Sequence, residues 1–136
     1  DYLASGKAGK VRHISAQRLK LGRVRAQENV WWSFAPHDVS VVLELLGRPK
    51  LTSVSAHGQA MVQPSVEDYV HVDLTFEDGL SAHVHSAWYW PTVERRTTEC
   101  EHCLECGEGR SRPRSDGWNG VAVVEILEKA HNLLRK

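Results

Sequence analysis

The sequence predicts an α+β fold, in which a mostly antiparallel sheet carries helices on one of its faces. Residues 69–77 and 81–90 alternate between apolar and polar side chains on either side of Asp78 and Gly79, which is typical of a hairpin with one buried face. Residues 36–47 and 117–134 instead place apolar side chains three and four positions apart, as helices that bury one side do. Strands and helices of these two kinds pack into a layer of helices on a sheet.

Composition and charge exclude several classes of protein. The 136 residues are 41% hydrophobic and 25% charged, which is ordinary for one globular domain spanning 1–136. The formal net charge is zero, so we expect neither a nucleic-acid partner nor an anionic membrane surface. No apolar run approaches the ~20 residues of a membrane span. Three cysteines do not form a disulfide framework, and we therefore expect a cytoplasmic protein.

Two further strands are predicted before the hairpin, at residues 11–19 and 51–62. In the hairpin itself, a two-residue loop would mix the apolar and polar faces of the two strands. A three-residue loop at 77–79, with Gly79 in the left-handed conformation, keeps both apolar faces aligned. This register places His71 opposite His85 and Asp73 opposite His83.

The central helix is predicted to begin near Pro36, because proline suits a first helical turn, and to end at Gly47. His37 and Asp38 would then lie in the first turn, where free backbone N–H groups and the helix dipole favour an anion or a polar substrate group. A basic, irregular connection at 21–33 precedes the helix and is a candidate site loop. The alternative is a capped core helix with an incidental surface histidine.

Four histidines occupy odd positions of three predicted strands and so share the sheet face that the helices leave open: His57, His71, His83 and His85. Met61, Tyr69 and Tyr89 are expected on the same face. Few charges and several aromatic rings are typical of the centre of a protein interface, which predicts a homo-oligomer joined through this face. A zinc patch is the alternative interpretation.

A second metal hypothesis concerns Cys100, Cys103 and Cys106, which are spaced like part of a zinc or iron–sulfur run. Thr98 and Glu101 form a capping box, so a short helix is predicted up to Gly107. Thiols at this spacing spread around a helix rather than converging on one ion. No metal site is therefore predicted. Asp116 is expected to cap the last helix, at about 117–134.

Several blocks, in order, resemble the C-terminal domain of the Gfo/Idh/MocA oxidoreductases, closest to the nucleotide-sugar (UDP-N-acetyl-hexosamine type) 3-dehydrogenases. The longest block runs from Ala16 to Val42 and contains WSFAPHDVS, and shorter ones lie at 67–70, 82–88, 99–106 and 116–120. The family carries a Rossmann domain that binds NAD(P), and no matching motif occurs here. Relatives also have more strands between residues 96 and 98. The resemblance implies a truncated substrate-binding and oligomerisation domain that is inactive alone and binds no cofactor by itself. A separate Rossmann domain is a candidate partner.

The resemblance also implies roles for particular residues. His37 matches the histidine that handles the proton of the reacting hydroxyl, a task for which imidazole is well suited. The implied substrate-binding residues are Arg18, Arg23, Arg25, Asn29, Trp32 and Ser33. Lys20 stands where relatives more often have asparagine. A non-enzymatic binding or assembly module that kept the fold without the chemistry is the alternative function.

Overall fold

The computed structural model describes residues 11–22, 24–95 and 117–135. In that part of the chain the elements are β1 (His13–Leu21), α1 (Val30–Leu46), β2 (Leu51–Gln59), β3 (Tyr69–Phe76), β4 (Ser81–Ala87), β5 (Tyr89–Arg95) and α2 (Gly117–Leu134). The strands form one sheet in the order β2-β3-β4-β1-β5. β1 and β4 are parallel, and the other neighbouring pairs are antiparallel. The predicted α+β class with a mostly antiparallel sheet is confirmed.

The β3–β4 hairpin has the predicted three-residue loop. The N–H of Phe76 donates to the carbonyl of Leu80 across 2.8 Å, and Glu77–Gly79 form a single 3₁₀ turn between them. Gly79 has the left-handed φ of 69° that the register requires. His71 is paired with His85 and Asp73 with His83, as predicted.

Both helices pack on the same face of the sheet. Apolar residues at even positions of β3 and β4 meet apolar side chains of α1 and α2 in one continuous core. Trp31 is fully buried there, and its indole Nε1–H donates to the carbonyl of Leu127 across 3.2 Å, which joins the two helices. Burial of this apolar surface is the main force that holds the helical layer on the sheet. The main core residues are Val70, Val72, Leu74, Phe76, Ala82, Val84, Val39, Val42, Leu43, Ile126 and Leu127.

The predicted start of the central helix is wrong. α1 begins at Val30, six residues before Pro36, and Asn29 is its N-cap, accepting a bond from the N–H of Trp32 at 3.2 Å. Pro36 therefore lies inside the helix, where the backbone bond to the Trp32 carbonyl is lost. The part of α1 that precedes Pro36 buries the side chains of Val30 and Trp31. The predicted end at Gly47 is confirmed by its left-handed φ of 79°.

Three strand boundaries also differ from the prediction. β1 runs from His13 to Leu21 rather than 11–19, and β2 ends at Gln59 rather than at 62. The predicted strand at 81–90 is broken at Trp88, whose N–H donates to Asp68 and whose carbonyl accepts from Gly22. Beyond Trp88 the chain continues as β5 on the far side of β1. The predicted helix at 98–107, its cysteines and the Asp116 cap lie outside the described residues.

Candidate functional site

A cleft of about 730 Å³ opens where β1 ends and α1 begins. Its walls come from the last residues of β1, the irregular segment after it, the first turns of α1 and Trp88 between β4 and β5. The lining residues are Lys20, Val24, Arg25, Ala26, Gln27, Glu28, Ser33, Phe34 and Trp88. The cleft therefore combines aromatic surface with cationic, amide and hydroxyl groups, which is the mixture found in sites for polar organic ligands.

Lys20 and Phe34 form one wall of this cleft. The Lys20 Nζ lies 5.9 Å from the centre of the Phe34 ring, within the range of a cation–π contact. Phe34 in turn meets Trp88 edge to face, with ring centres 6.4 Å apart. Gly22 leaves room for the lysine stem, because a β-carbon at that position would lie 3.2 Å from Lys20 Cε. The lysine is thus positioned between a glycine and an aromatic ring.

Arg18 is held by a carboxylate of α1. Its Nε and Nη2 both donate to Asp38, each across 3.0 Å, in a bidentate pair between β1 and the helix. Asp38 is only 5% exposed, so this pair lies largely out of water. Because the guanidinium group of Arg18 on β1 is already paired with a carboxylate of α1, this arginine fixes the helix against the strand.

The other two predicted arginines have different surroundings. Arg25 lines the cleft, is exposed, and its guanidinium pairs with the carboxylate of Glu28. The amide of Gln63 donates to the Arg25 carbonyl and ties the segment to the connection after β2. Arg23 lies outside the described residues.

Asn29 and Trp32 form a separate group with Glu67 and His131. The Asn29 side-chain amide donates to Glu67 Oε2 across 2.8 Å and lies 3.4 Å from His131 Nδ1, while the Trp32 ring meets the His131 ring edge on at 6.1 Å. Asn29 is 5% exposed. This group joins the start of α1 to α2 and to the connection between β2 and β3, and Asn29 has a structural role there.

The start of α1 does not form the predicted anion site. The N–H groups of Val30, Trp32 and Ser33 already donate to the Glu67 carbonyl, the Asn29 side chain and the Asn29 carbonyl. Since a helix start attracts anions through its free N–H groups, this one offers little to a ligand. His37 and Asp38 lie well inside the helix instead.

His37 is an exposed residue on α1, one turn beyond Ser33 on the same side of the helix. Ser33 lines the cleft and His37 does not. The structure therefore brings Arg25 and Ser33 together in the cleft, places His37 one turn further along, and assigns Arg18, Asn29 and Trp32 to internal contacts. Lys20, Phe34 and Trp88 were not predicted, although Lys20 had been noted as a departure from the related sequences.

The open face of the sheet carries the four histidines. The rings of His71 and His85 stack with centres 4.1 Å apart, and both meet the edge of the Tyr69 ring. His83 lies 3.4 Å from His71 Nδ1 and 2.8 Å from Asp73 Oδ1. Burial lowers the pKa of His71 below its ordinary 6.5, and His83 and His57 add to this effect against the opposing influence of Asp73. His71 is therefore favoured in its neutral form.

Tyrosines and a methionine extend this face at one corner. Tyr69 lies 6.0 Å from Tyr89, ring centre to ring centre, and the Tyr89 hydroxyl donates to the sulfur of Met61. Burial, followed by Asp68 and Tyr69, raises the pKa of Tyr89, which keeps the hydroxyl protonated. Trp90 also belongs to this face, because its ring lies 5.9 Å from His85. The alternation of residues 81–90 predicts Trp90 on the apolar side of the strand with Ala82 and Val84, and that prediction is wrong because the strand ends at Ala87.

The histidine face does not converge on a metal ion. Within residues 11–22, 24–95 and 117–135, no three histidine, cysteine or acidic side chains are arranged as a metal site. The stacked rings of His71 and His85 lie face to face, with 14° between their planes. Neither helix of the described chain is long and apolar enough to cross a membrane.

Several solved structures share this fold. UDP-N-acetylglucosamine 3-dehydrogenase GnnA from Acidithiobacillus ferrooxidans is 18% identical with a TM-score of 0.73, and the match covers 98% of this chain and 56% of GnnA. GenD2 from gentamicin A biosynthesis, in complex with NAD, is 16% identical with a TM-score of 0.74 and the same coverage. WlbA dehydrogenase from Bordetella pertussis, in complex with NADH and UDP-GlcNAcA, is 14% identical with a TM-score of 0.68, covering 98% of this chain and 55% of WlbA. The chain thus spans about half the length of these proteins.

Comparison with curated protein sequences gives no match. Residues 1–102, by contrast, match the model of the GFO/IDH/MocA C-terminal domain. The matched range includes the five strands, α1 and every residue that lines the cleft. Because the match extends over well over half of the sequence and the fold agrees with it, the chain belongs to the GFO/IDH/MocA C-terminal domain family of oxidoreductases.

Proposed function

We propose that this chain is the substrate-binding domain of an NAD(P)-dependent sugar or nucleotide-sugar oxidoreductase and has no dehydrogenase activity alone. The observation that carries this proposal is the cleft between β1 and α1, where Phe34, supported from behind by the buried Trp88, presents aromatic surface beside Lys20, Arg25 and Ser33. Sugar rings stack their C–H faces on aromatic side chains and hydrogen-bond at their rims. GnnA is a UDP-N-acetylglucosamine 3-dehydrogenase and the WlbA structure contains UDP-GlcNAcA, and both support the substrate class.

In this proposal, each cleft residue has a distinct task. Ser33 and Arg25 hydrogen-bond the sugar, and Lys20 attracts the negative part of the ligand. His37, one turn further along α1, accepts the proton of the hydroxyl that is oxidised, because an alcohol that loses hydride must also lose its proton. The Arg18–Asp38 pair keeps α1 in position on β1.

The described residues do not fit the NAD(P) that the family implies. Binding of a dinucleotide on a strand–turn–helix unit requires free N–H groups at the helix start. In the unit formed by β1 and α1, those of Val30, Trp32 and Ser33 are already bonded within the chain. The proposal therefore assigns the cofactor to a Rossmann domain, in the same protein or in a partner. When bound there, the nicotinamide supplies the hydride acceptor.

The proposal is tested by calorimetric titration of the full chain with UDP-N-acetylglucosamine. A Ser33→Trp variant fills the cleft, and Ser53→Trp on the distant edge strand β2 is the matched control. We expect saturable binding by the original chain and by the control, and none by Ser33→Trp, with circular dichroism verifying that both variants fold. Absence of saturable binding by the original chain contradicts the proposal.

A second candidate function is assembly, because the open sheet face has the character of an interface. Its centre is the cluster of Tyr69, His71 and His85, which contains no acidic side chain, lysine or arginine, and Met61 and Tyr89 border it. Depletion of charge together with aromatic rings is typical of interface centres. We propose that two copies of the chain associate through this face, with or without an oxidoreductase activity.

Light scattering tests this association. We expect the original chain to scatter as an oligomer at high protein concentration and Tyr69→Glu to scatter as a monomer, because a buried carboxylate without a partner is costly at an interface. Leu45→Glu, at an exposed position of α1 on the helical side, is the control and should leave the oligomer intact. A monomeric original chain contradicts the association.

A further inference from the structure

We infer that Lys20 is the specificity-determining residue of the cleft and that it recognises an anionic group, a phosphate or a carboxylate, on the sugar ligand. The inference rests on the proposed function and names the chemistry of its substrate. It replaces the role that the sequence had assigned to the arginines. Three observations about charge, position and surroundings support it.

The first observation is the distribution of charge. Arg18 is neutralised by Asp38 and Arg25 by Glu28. No described carboxylate forms an ion pair with Lys20, so its charge is left for a ligand. Among the described lining residues, Lys20 and Arg25 carry positive charge and Glu28 carries negative charge, which is an excess of one positive charge.

The second observation is the position of the ammonium group. Its stem runs past Gly22, where a β-carbon would come within 3.2 Å, and its Nζ lies over Phe34. These contacts restrict the side chain before any ligand arrives. A restricted lysine loses less side-chain entropy on binding than a free one, so more of the interaction appears as affinity.

The third observation is the aromatic surface beside the cation. Phe34 and Trp88 meet edge to face in the same wall. A ring of Phe34 can carry the apolar face of a sugar while Lys20 reaches a charged substituent at its edge. A sugar phosphate or a sugar acid satisfies both contacts, whereas a neutral sugar satisfies only the aromatic one.

Titration of the full chain with three small probes tests the inference and separates the two sources of negative charge. The probes are glucose, glucose 1-phosphate and glucuronate, and UDP-N-acetylglucosamine is measured beside them. We expect one or both anions to bind roughly tenfold more tightly than glucose. This difference in affinity corresponds to the free energy of one charge-assisted hydrogen bond. Lys20→Gln should remove this preference, and Lys20→Arg should keep most of it.

Lys50→Gln is the matched control. Lys50 precedes β2, whose Leu51 pairs with Phe76, and so lies at the end of the sheet opposite the cleft. Equal affinity for glucose and both anions, or an anion preference that survives in Lys20→Gln, overturns the inference. If UDP-N-acetylglucosamine still binds in that case, the proposed function stands without the role of Lys20. If no probe binds at all, both are rejected.

Discussion

The two faces of the sheet are built from alternate residues of the same strands and differ in nearly every physical property. On the helical side, Val70, Val72 and Leu74 of β3 are buried against α1 and α2. On the open side, Tyr69 and His71 meet other rings at the centre of the sheet, while Asp73 and Thr75 are exposed. In the described part of the chain, one face of the sheet therefore holds the fold together, while neither helix packs on the other face.

The cleft belongs to neither face. It lies at the end of the sheet where β1 ends and the chain continues to α1, and where Trp88 separates β4 from β5. Its walls combine an irregular segment with the end of β1 and the first turns of α1, so that regular elements position the residues of a loop, as is usual in ligand sites. The contrast between the two faces gives four predictions, from the largest expected effect to the smallest.

The strongest contrast is expected between neighbours on β3. Leu74→Ala should lower the free energy of unfolding by about 3 kcal/mol, because it leaves a cavity under the helices at a residue only 1% exposed. Thr75→Ala, next to it on the open face, should change the free energy by no more than about 0.5 kcal/mol. Urea unfolding followed by circular dichroism measures both. Similar losses would mean that the open face is also packed.

The buried ion pair on the helical side is the next target. Asp38→Asn keeps the shape of the side chain and removes its charge, so we expect a loss of about 2 kcal/mol from the bidentate bonds to Arg18. Glu44→Gln is the matched control, since the pair between Glu44 of the same helix and Arg48, just beyond the helix end, is more exposed and is worth about 0.5 kcal/mol or less. Equal effects would show that water screens both pairs alike.

The open face should instead be sensitive to pH. Because the pKa of folded His71 lies below 6.5, the unfolded chain takes up this proton first as the pH falls. The contribution of His71 to the free energy of unfolding is therefore complete above about pH 6.5 and decreases from there toward its lower folded pKa.

The groups that face His71 are Tyr69, Asp73, His57, His83 and His85. Unfolding measured at about pH 8 and about pH 5.5 should show a smaller pH dependence for His71→Gln than for the original chain. His37→Gln, on the other side of the domain, is the control. The oligomer, if it forms, should also loosen at the lower pH, because protonated histidines facing each other repel. An unchanged pH dependence in His71→Gln would contradict this explanation.

The smallest effect on stability is expected at His37. This side chain is exposed, so His37→Ala should shift the free energy of unfolding by less than about 0.5 kcal/mol. In a preparation reconstituted with a Rossmann domain that binds NAD(P), the same variant should lose its dehydrogenase activity by at least about 100-fold, the usual contribution of a general base. Lost stability would place His37 among the structural residues, and retained activity would reject its role in proton transfer.

Much of the sheet was predictable because a strand's alternation is a local property. The register of the β3–β4 hairpin follows from matching two apolar faces across Gly79, since a two-residue loop would have placed Val72 opposite His85. The stop at Gly47 is local too, since a glycine tolerates the left-handed backbone there. The sequence alone therefore determined the α+β class, the histidine face and the end of α1.

The rest depends on contacts between residues far apart in the chain. α1 begins at Val30 because Asn29, Val30 and Trp31 find partners in Glu67 and Leu127, which no local pattern reveals. Asp38 pairs with the guanidinium group of Arg18. The interruption between β4 and β5 places Trp88 beside Phe34 and Lys20. Whether a cation is neutralised or left for a ligand is decided by which carboxylate lies near it in space. Only the tertiary structure could therefore separate Lys20 from the arginines that precede α1.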